Sequence, residues 1–188
     1  MFWEDEAAEH KFYTRILESQ PFKLLLNSYF DSNLIERHAK SLTLRAVKEI
    51  VNPYFDDQLR NACLQAIGKT CCHMFLEFGE INTKTDIDTF IKNINTASQG
   101  YRRYKRRNNL VYEELYAGKC WCPIINSIEM KSDCTAWCDC SKSARGELFQ
   151  TILKKPVEVQ PLGSIICNDS NICQWVINLE PKKTARRK

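Results

Sequence analysis

Hydrophobic positions in roughly the first hundred residues recur at helical spacing. One stripe predicts a helix with candidate N-caps at Asp31-Ser-Asn33 and an end at Asn52-Pro53, and its members are Ile35, Ala39, Leu42, Ala46 and Ile50. A second stripe predicts a helix from about Asp57 to Gly79, and its members are Leu59, Cys63, Ile67, Met74 and Phe78. The segments 2–19 and 85–97 are also predicted to be helical. We therefore expect a helical part over residues 1–98.

The period changes to that of strands after Gln99-Gly100. Residues 101–107 and 110–116 are predicted to pair as a hairpin, because Asn108-Asn109 tolerates the positive φ that a tight turn needs. Residues 157–167 and 172–179 form a second predicted hairpin. The alternation in its last strand predicts four inward-facing side chains, those of Cys173, Trp175, Ile177 and Leu179.

The face of Cys167 depends on the length of the second hairpin's loop. A five-residue loop, 168–172, places Cys167 opposite Cys173 on one face, whereas a four-residue loop, 168–171, places them on opposite faces. Both arrangements stay open at the level of the sequence.

Between the hairpins, Ser141 is predicted to cap a helix that runs to about Leu153 and packs on the sheet through Leu148 and Ile152. The expected fold class is α+β, with a helical N-terminal half followed by an antiparallel sheet with a crossing helix. We expect a single domain over residues 1–180, with a cysteine-rich sheet part over 99–180, followed by a basic disordered tail, 181–188.

Charge argues against a nucleic-acid-binding body. The tail supplies five of the positive charges behind the net charge of +4, so residues 1–180 carry −1. A basic cluster interleaved with tyrosines lies in the first predicted strand, and its members are Arg102, Arg103, Lys105, Arg106 and Arg107. The cluster could bind an anion or RNA, but a charged edge that discourages pairing with other chains is the favoured interpretation.

Seven of the ten cysteines lie between residues 120 and 173. The N-terminus is acidic and shows no export signal, and no apolar run approaches the roughly 20 residues of a membrane span, so we expect a cytoplasmic protein with no membrane partner. Clustered cysteines in a reducing compartment indicate metal ligands or reactive thiols rather than a disulfide framework. Two other cysteines, Cys63 and Cys71, are expected to be buried in a helix.

Cys138 and Cys140 directly precede the predicted N-cap at Ser141. The unpaired N–H groups of a helix N-terminus stabilise a thiolate and lower its pKa, which suits a nucleophile or a metal ligand. Their Cys-x-Cys spacing is tighter than the spacing typical of structural zinc sites. The three histidines, His10, His38 and His73, lie far upstream and supply no recognisable general base.

From about Tyr116 to Leu179 the chain resembles a bacterial family named for L-2-amino-thiazoline-4-carboxylate hydrolase and, more distantly, vinyl-reductase-type small-molecule-binding domains. The motifs that carry this resemblance are Gly118-x-Cys-x-Cys-Pro123, Trp137-Cys-x-Cys-Ser141, Lys155-Pro-Val-x-Val159, Ser164 and Asp169-x-x-x-Cys173-x-Trp-x-Ile177. The resemblance implies a pocket between helices and sheet, often in a homodimer. It also implies zinc held by Cys138 or Cys140 together with Cys167 and Cys173.

Two functions follow as expectations. In the favoured one, the protein binds a small organic molecule in a pocket lined by Trp121, Trp137 and Trp175, with cysteines at its edge that are structural or hold zinc. In the alternative, Cys140 or Cys138 is the nucleophile of a hydrolase that acts on a small cyclic C–N compound.

Overall fold

The computed structural model describes residues 5–26, 32–50, 52, 54–79, 81–117, 124, 135–165 and 171–181, with only the backbone of residues 32–37 and 135–137. The chain divides into two compact units. The first consists of Met1–Ile81 and Cys120–Ala144, and the second of Asn82–Lys119 and Arg145–Lys188. A single domain over residues 1–180 stays a prediction.

The first unit is built from helices. They are α1 (Glu6–Glu18), α2 (Gln20–Leu25), α3 (Ser32–Ile50), α4 (Asp57–Phe78) and the beginning of α6 (Thr135–Leu153). Side-chain caps define two of the starts: Asp5 accepts hydrogen bonds from the backbone N–H groups of Ala7 and Ala8, and Asp56 accepts one from Leu59. Such caps satisfy donors that a helix start leaves unpaired. At His38, non-helical backbone angles kink α3.

Helix α1 supplies much of the core of the first unit, because it packs against α3 and α4. Its fully buried side chains are Phe12, Tyr13, Ile16 and Leu17. Cys63 on α4 is buried as expected, but Cys72 is buried in place of Cys71, which is only half-buried. Cys63 and Cys173 are free thiols.

The second unit contains a four-stranded antiparallel sheet. Its strands are β1 (Arg102–Arg107), β2 (Leu110–Tyr116), β3 (Glu158–Gly163) and β4 (Ile172–Asn178), in the order β1-β2-β4-β3. The first hairpin is as predicted, and Asn108 in its turn has the expected positive φ of 53°. β1 is therefore an edge strand, whereas β2 and β4 form the centre of the sheet.

Helix α5 (Ile87–Ala97) and residues 145–153 of α6 complete the second unit. The ring of Phe149 meets that of Tyr104 on β1 at 5.8 Å between centroids, and Phe90 of α5 meets Phe149 at 6.0 Å. Leu148 and Ile152 are buried, as the sequence predicts for the helix on the sheet. Asp86 caps α5, which begins two residues later than predicted.

The structure confirms the α+β class with a helical N-terminal half and an antiparallel sheet. The predicted helix start at Ser141 is wrong, since α6 begins at Thr135 and includes Cys138 and Cys140, which we call the junction cysteines. The second hairpin is shorter on its first side than predicted, because β3 ends at Gly163. None of the helices within the described ranges is long and apolar enough to cross a membrane.

Candidate ligand-binding site

The junction cysteines lie inside α6, not in front of it. Cys138 is the fourth residue of the helix and Cys140 the sixth, so only Cys138 falls among the first four N–H groups that lack a helical partner. The two positions point about 200° apart around the helix. Cys138 is accordingly half-buried, while Cys140 is only 6% exposed. The pair cannot hold one metal ion or one reacting atom together.

Cys173 lies on β4, and its Sγ accepts a hydrogen bond of 3.3 Å from the backbone N–H of Ile165. Its predicted partner Cys167 lies outside the described residues, so a zinc site made by Cys138 or Cys140 with Cys167 and Cys173 stays a prediction. Within the described ranges, no group of three or more His, Cys, Asp or Glu side chains is placed to hold a metal ion.

Of the three tryptophans predicted to line a pocket, only Trp175 has a described side chain. Trp121 lies outside the described residues, and only the backbone of Trp137 is described, in the first turn of α6. Trp175 is well placed: it lies in the central strand β4, on the inward face that the alternation predicts, and is 2% exposed.

A row of inward side chains crosses the sheet at Trp175. Glu113 on β2 is the direct cross-strand partner of Trp175 on β4 and of Tyr104 on β1. Glu113 is 1% exposed, which is unusual for a carboxylate unless it is paired. We call the residues Arg102, Tyr104, Glu113, Arg145 and Trp175 the Glu113 cluster. All five belong to the second unit.

Arg145 binds Glu113 through two parallel hydrogen bonds. Its Nε donates to one carboxylate oxygen at 2.5 Å and its Nη2 to the other at 3.1 Å, the forked geometry that suits a guanidinium and a carboxylate. The same guanidinium lies 4.4 Å from the centroid of the Trp175 ring. This distance places the cation over the ring face, where the π electrons attract it.

Arg102 brings a second positive charge to the same carboxylate. Its Nε lies 3.4 Å from a Glu113 oxygen, longer than a good hydrogen bond, so charge attraction dominates this contact. Tyr104 donates a hydrogen bond to Glu113, and its pKa is raised by burial first and by the negative charge of Glu113 second. The tyrosine therefore stays neutral, and the cluster combines two guanidiniums with one carboxylate.

The indole N–H of Trp175 is buried and finds no hydrogen-bond partner among the residues that the structure describes. Native proteins pair the large majority of buried polar groups with protein or water. The Glu113 cluster thus contains a buried donor with no acceptor among the described residues.

Sequence reasoning missed Glu113 and Arg145. One signal was present: Glu113 stands between Val111 and Leu115 at the inward positions of an alternating strand, where a charged side chain needs a buried partner. The partner could not be identified in the same way, because Arg145 lies 32 residues further along the chain.

No family model matches the chain, and no curated protein is significantly similar to it. The resemblance to the thiazoline-carboxylate hydrolase family stays a prediction.

Proposed function

We propose that the protein binds a small organic acid at the Glu113 cluster. The observation that carries this proposal is the buried N–H of Trp175, which has no partner among the described residues and lies next to two guanidiniums that share one carboxylate. A carboxylate or similar anionic group accepts hydrogen bonds from indole and guanidinium donors.

The two guanidiniums favour an anionic ligand over a neutral one, because hydrogen bonds between ionised partners are shorter and stronger than those between neutral groups. Arg102 and Arg145 retain side-chain exposures of 18% and 11%, whereas Glu113 retains 1%. The arginines are thus the members of the cluster that an incoming anion reaches first.

Aromatic packing next to the cluster suits the organic part of such a ligand. Phe90, Tyr104 and Phe149 form a contiguous group with ring centroids 5.8–6.5 Å apart. Small-molecule sites typically combine a mainly apolar lining with a few placed polar groups. The proposal keeps the predicted role of Trp175 and adds Arg102, Glu113 and Arg145, which carry the polar recognition.

The thiol-dependent hydrolase and the zinc site remain separate predictions from the sequence. Neither is needed for binding at the Glu113 cluster, because no cysteine belongs to it. The hydrolase hypothesis requires that Cys138→Ser or Cys140→Ser abolish turnover of a cyclic C–N compound. Binding of an acid at the cluster requires that both variants bind as the wild type does.

The test compares small acids with their neutral amides by thermal unfolding of the full chain. Benzoate, hexanoate and nicotinate are paired with benzamide, hexanamide and nicotinamide, so each pair differs only in the charged group. A ligand that binds the native state stabilises it by RT ln(1 + [L]/Kd), about 2.7 kcal/mol at 100 times Kd. We expect an acid to raise the unfolding temperature and its amide to leave it unchanged.

Trp175→Phe sharpens the test, because it removes the indole N–H and keeps an aromatic ring. A hydrogen bond to a charged group contributes about 1.5–3 kcal/mol, so the variant should bind the acid roughly 10- to 100-fold more weakly. Tyr112→Phe is the matched control, since it removes a polar group from the opposite face of the same sheet. Equal stabilisation by acids and amides, or full affinity in Trp175→Phe, would refute the proposal.

A further inference from the structure

The basic residues of β1 divide between the two faces of the sheet. On the inward face, Arg102 pairs with Glu113 and Arg106 pairs with Asp88 at 2.7 Å. On the outward face, Arg103, Lys105 and Arg107 are exposed and make no ion pair with any described residue. The basic cluster of the sequence is therefore divided between the two faces of the sheet, and the three outward charges are available to a partner.

Two of the outward arginines lie over tyrosines of the neighbouring strand. The guanidinium of Arg103 is 5.9 Å from the ring centroid of Tyr116, and that of Arg107 is 5.9 Å from the ring centroid of Tyr112. Both tyrosines are half-buried and belong to the central strand β2. The outward face thus presents aromatic rings beside a row of positive charges, a combination that proteins use to bind single-stranded nucleic acid.

The spacing of these groups is regular. Successive outward residues of a strand are about 6.8 Å apart, close to the separation of phosphates along an extended single strand. Tyr112 and Tyr116 are four residues apart on the strand beside β1, so the rings flank a track of three cations. We infer that this outward face binds single-stranded nucleic acid, with phosphates on Arg103, Lys105 and Arg107 and bases stacked on Tyr112 and Tyr116.

Acidic groups on the same face are fewer than the cations. Glu114, the cross-strand partner of Arg103, accepts hydrogen bonds from the hydroxyl of Tyr116 at 2.8 Å and from the amide of Gln174 at 3.3 Å, and it is the one carboxylate beside the three cations on the outward faces of β1 and β2. Glu158 lies on β3, three strands from β1 and therefore about 14 Å away. The local positive charge of this face is therefore compatible with the near-neutral charge of residues 1–180 as a whole.

Protection of the β1 edge does not rest on the outward charges alone. Asn95 of α5 already covers the middle of the β1 edge: its side chain accepts from the N–H of Tyr104 at 2.7 Å and donates to the carbonyl of Tyr104 at 2.9 Å. These bonds occupy the backbone groups through which another strand would pair. A role for the outward cations in binding explains why they accompany two aromatic rings.

The experiment measures fluorescence anisotropy of short labelled oligo-uridylate and oligo-thymidylate with the full chain. All proteins in the comparison carry Gln in place of the tail cations Lys182, Lys183, Arg186, Arg187 and Lys188, because a basic tail can bind phosphates by itself. This tail-neutralised protein is the background. In that background, the outward face is changed in two ways: Arg103, Lys105 and Arg107 to Gln, or Tyr112 and Tyr116 to Leu. The charge control changes Lys84, Lys92 and Lys154, exposed lysines of the same unit, to Gln.

We expect the background protein to bind both oligonucleotides, with log K falling against log salt at a slope of about −2 from three phosphate contacts. The arginine–lysine variant should bind at least tenfold more weakly and lose most of that slope. The tyrosine variant should bind roughly 5- to 100-fold more weakly at an unchanged slope. The lysine control should stay within about twofold of the background. Unchanged thermal unfolding of each variant establishes that the sheet is intact.

Three outcomes would overturn the inference. One is loss of all binding once the tail is neutralised. Another is an equal effect of the lysine control and the arginine–lysine variant, which would mean unspecific charge attraction. The third is full competition by polyglutamate together with no effect of the tyrosine variant, which would identify an acidic peptide surface. Stronger binding of uridylate than thymidylate would identify RNA as the source of the single strand, and the reverse order would identify DNA.

Discussion

Glu113 and Trp175 are direct cross-strand partners on β2 and β4, and the guanidinium of Arg145 contacts both of them. A charged hydrogen-bond network thus lies on the inward face of a sheet whose other inward side chains are mostly apolar. Such a network stabilises the fold only while every charge has a partner. Loss of one member of this network should therefore destabilise the second unit.

Replacing Glu113 by Gln should destabilise the protein strongly. The change removes the buried carboxylate that the half-buried guanidiniums of Arg102 and Arg145 share, and breaking a buried pair in this way lowers the free energy of unfolding by about 3–5 kcal/mol. Glu114→Gln is the matched control on the outward face of the same strand and should lower it by less than about 1 kcal/mol. Urea unfolding measures both. Equal stabilities of the two variants would contradict the paired state of Glu113.

Replacing each of two helical glycines by alanine should change the free energy of unfolding in opposite directions. A β-carbon at Gly68 of α4 would lie 2.7 Å from Cβ of Ser143 and 2.9 Å from the backbone nitrogen of Ala144, so Gly68→Ala should lower the free energy of unfolding by about 1–3 kcal/mol. At Gly146 of α6 the nearest atoms are 3.8 and 4.0 Å away. Gly146→Ala should therefore raise stability by about 0.5–1 kcal/mol through helix propensity. A Gly68→Ala protein as stable as the wild type would rule out the close approach of α4 and α6.

Cys63 should make stability depend on alkaline pH. Burial raises the pKa of its thiol from an ordinary value near 9 to about 11. Between these values the unfolded chain loses the proton and the folded chain keeps it, so the free energy of unfolding falls as pH rises, by about 1.4 kcal/mol per pH unit. Below pH 9 this contribution is fully present. Denaturant unfolding across pH 9–11 should show a shallower decline in Cys63→Ala, and parallel declines would place Cys63 in solvent.

The junction cysteines should differ in alkylation rate. Cys138 is half-buried and lies within the first four residues of α6, whereas Cys140 is buried beyond them. Timed iodoacetamide labelling with peptide mass mapping should therefore modify Cys138 before Cys140, and Cys140 should react as slowly as the buried Cys63 and Cys72. Faster labelling of Cys140 would restore it as the better candidate nucleophile of the hydrolase hypothesis.

Local sequence signals predicted the elements that depend on neighbouring residues. Asn108 and Asn109 predicted the first turn, and the alternation from Cys173 to Leu179 predicted the inward face of β4, because both features are set within a few residues. The start of α6 was not predicted, because the helix begins at Thr135, before the apparent cap at Ser141. The close approach of its backbone at Cys140 to Gly68 of α4 joins distant positions and leaves no local signal.

The candidate site was predictable only in part for the same reason. The inward position of Trp175 follows from strand alternation. The pairing of Glu113 with Arg145 joins a strand to a helix that are distant in sequence, and the amino-acid pattern does not show that they lie close together in the fold. The division of the β1 arginines between two faces is likewise a property of the sheet, since the sequence shows only one continuous basic run.

The most direct test of the central claim is the NMR signal of the Trp175 indole N–H. Tryptophan labelled with nitrogen-15 gives an indole signal for each of the four tryptophans, and Trp175→Phe identifies the signal of Trp175 by its loss. We predict that the acid with the largest effect on thermal unfolding shifts the Trp175 indole proton downfield, as formation of a hydrogen bond does, while its amide leaves the signal in place. An acid that stabilises the protein without moving this signal would contradict recognition at the Glu113 cluster.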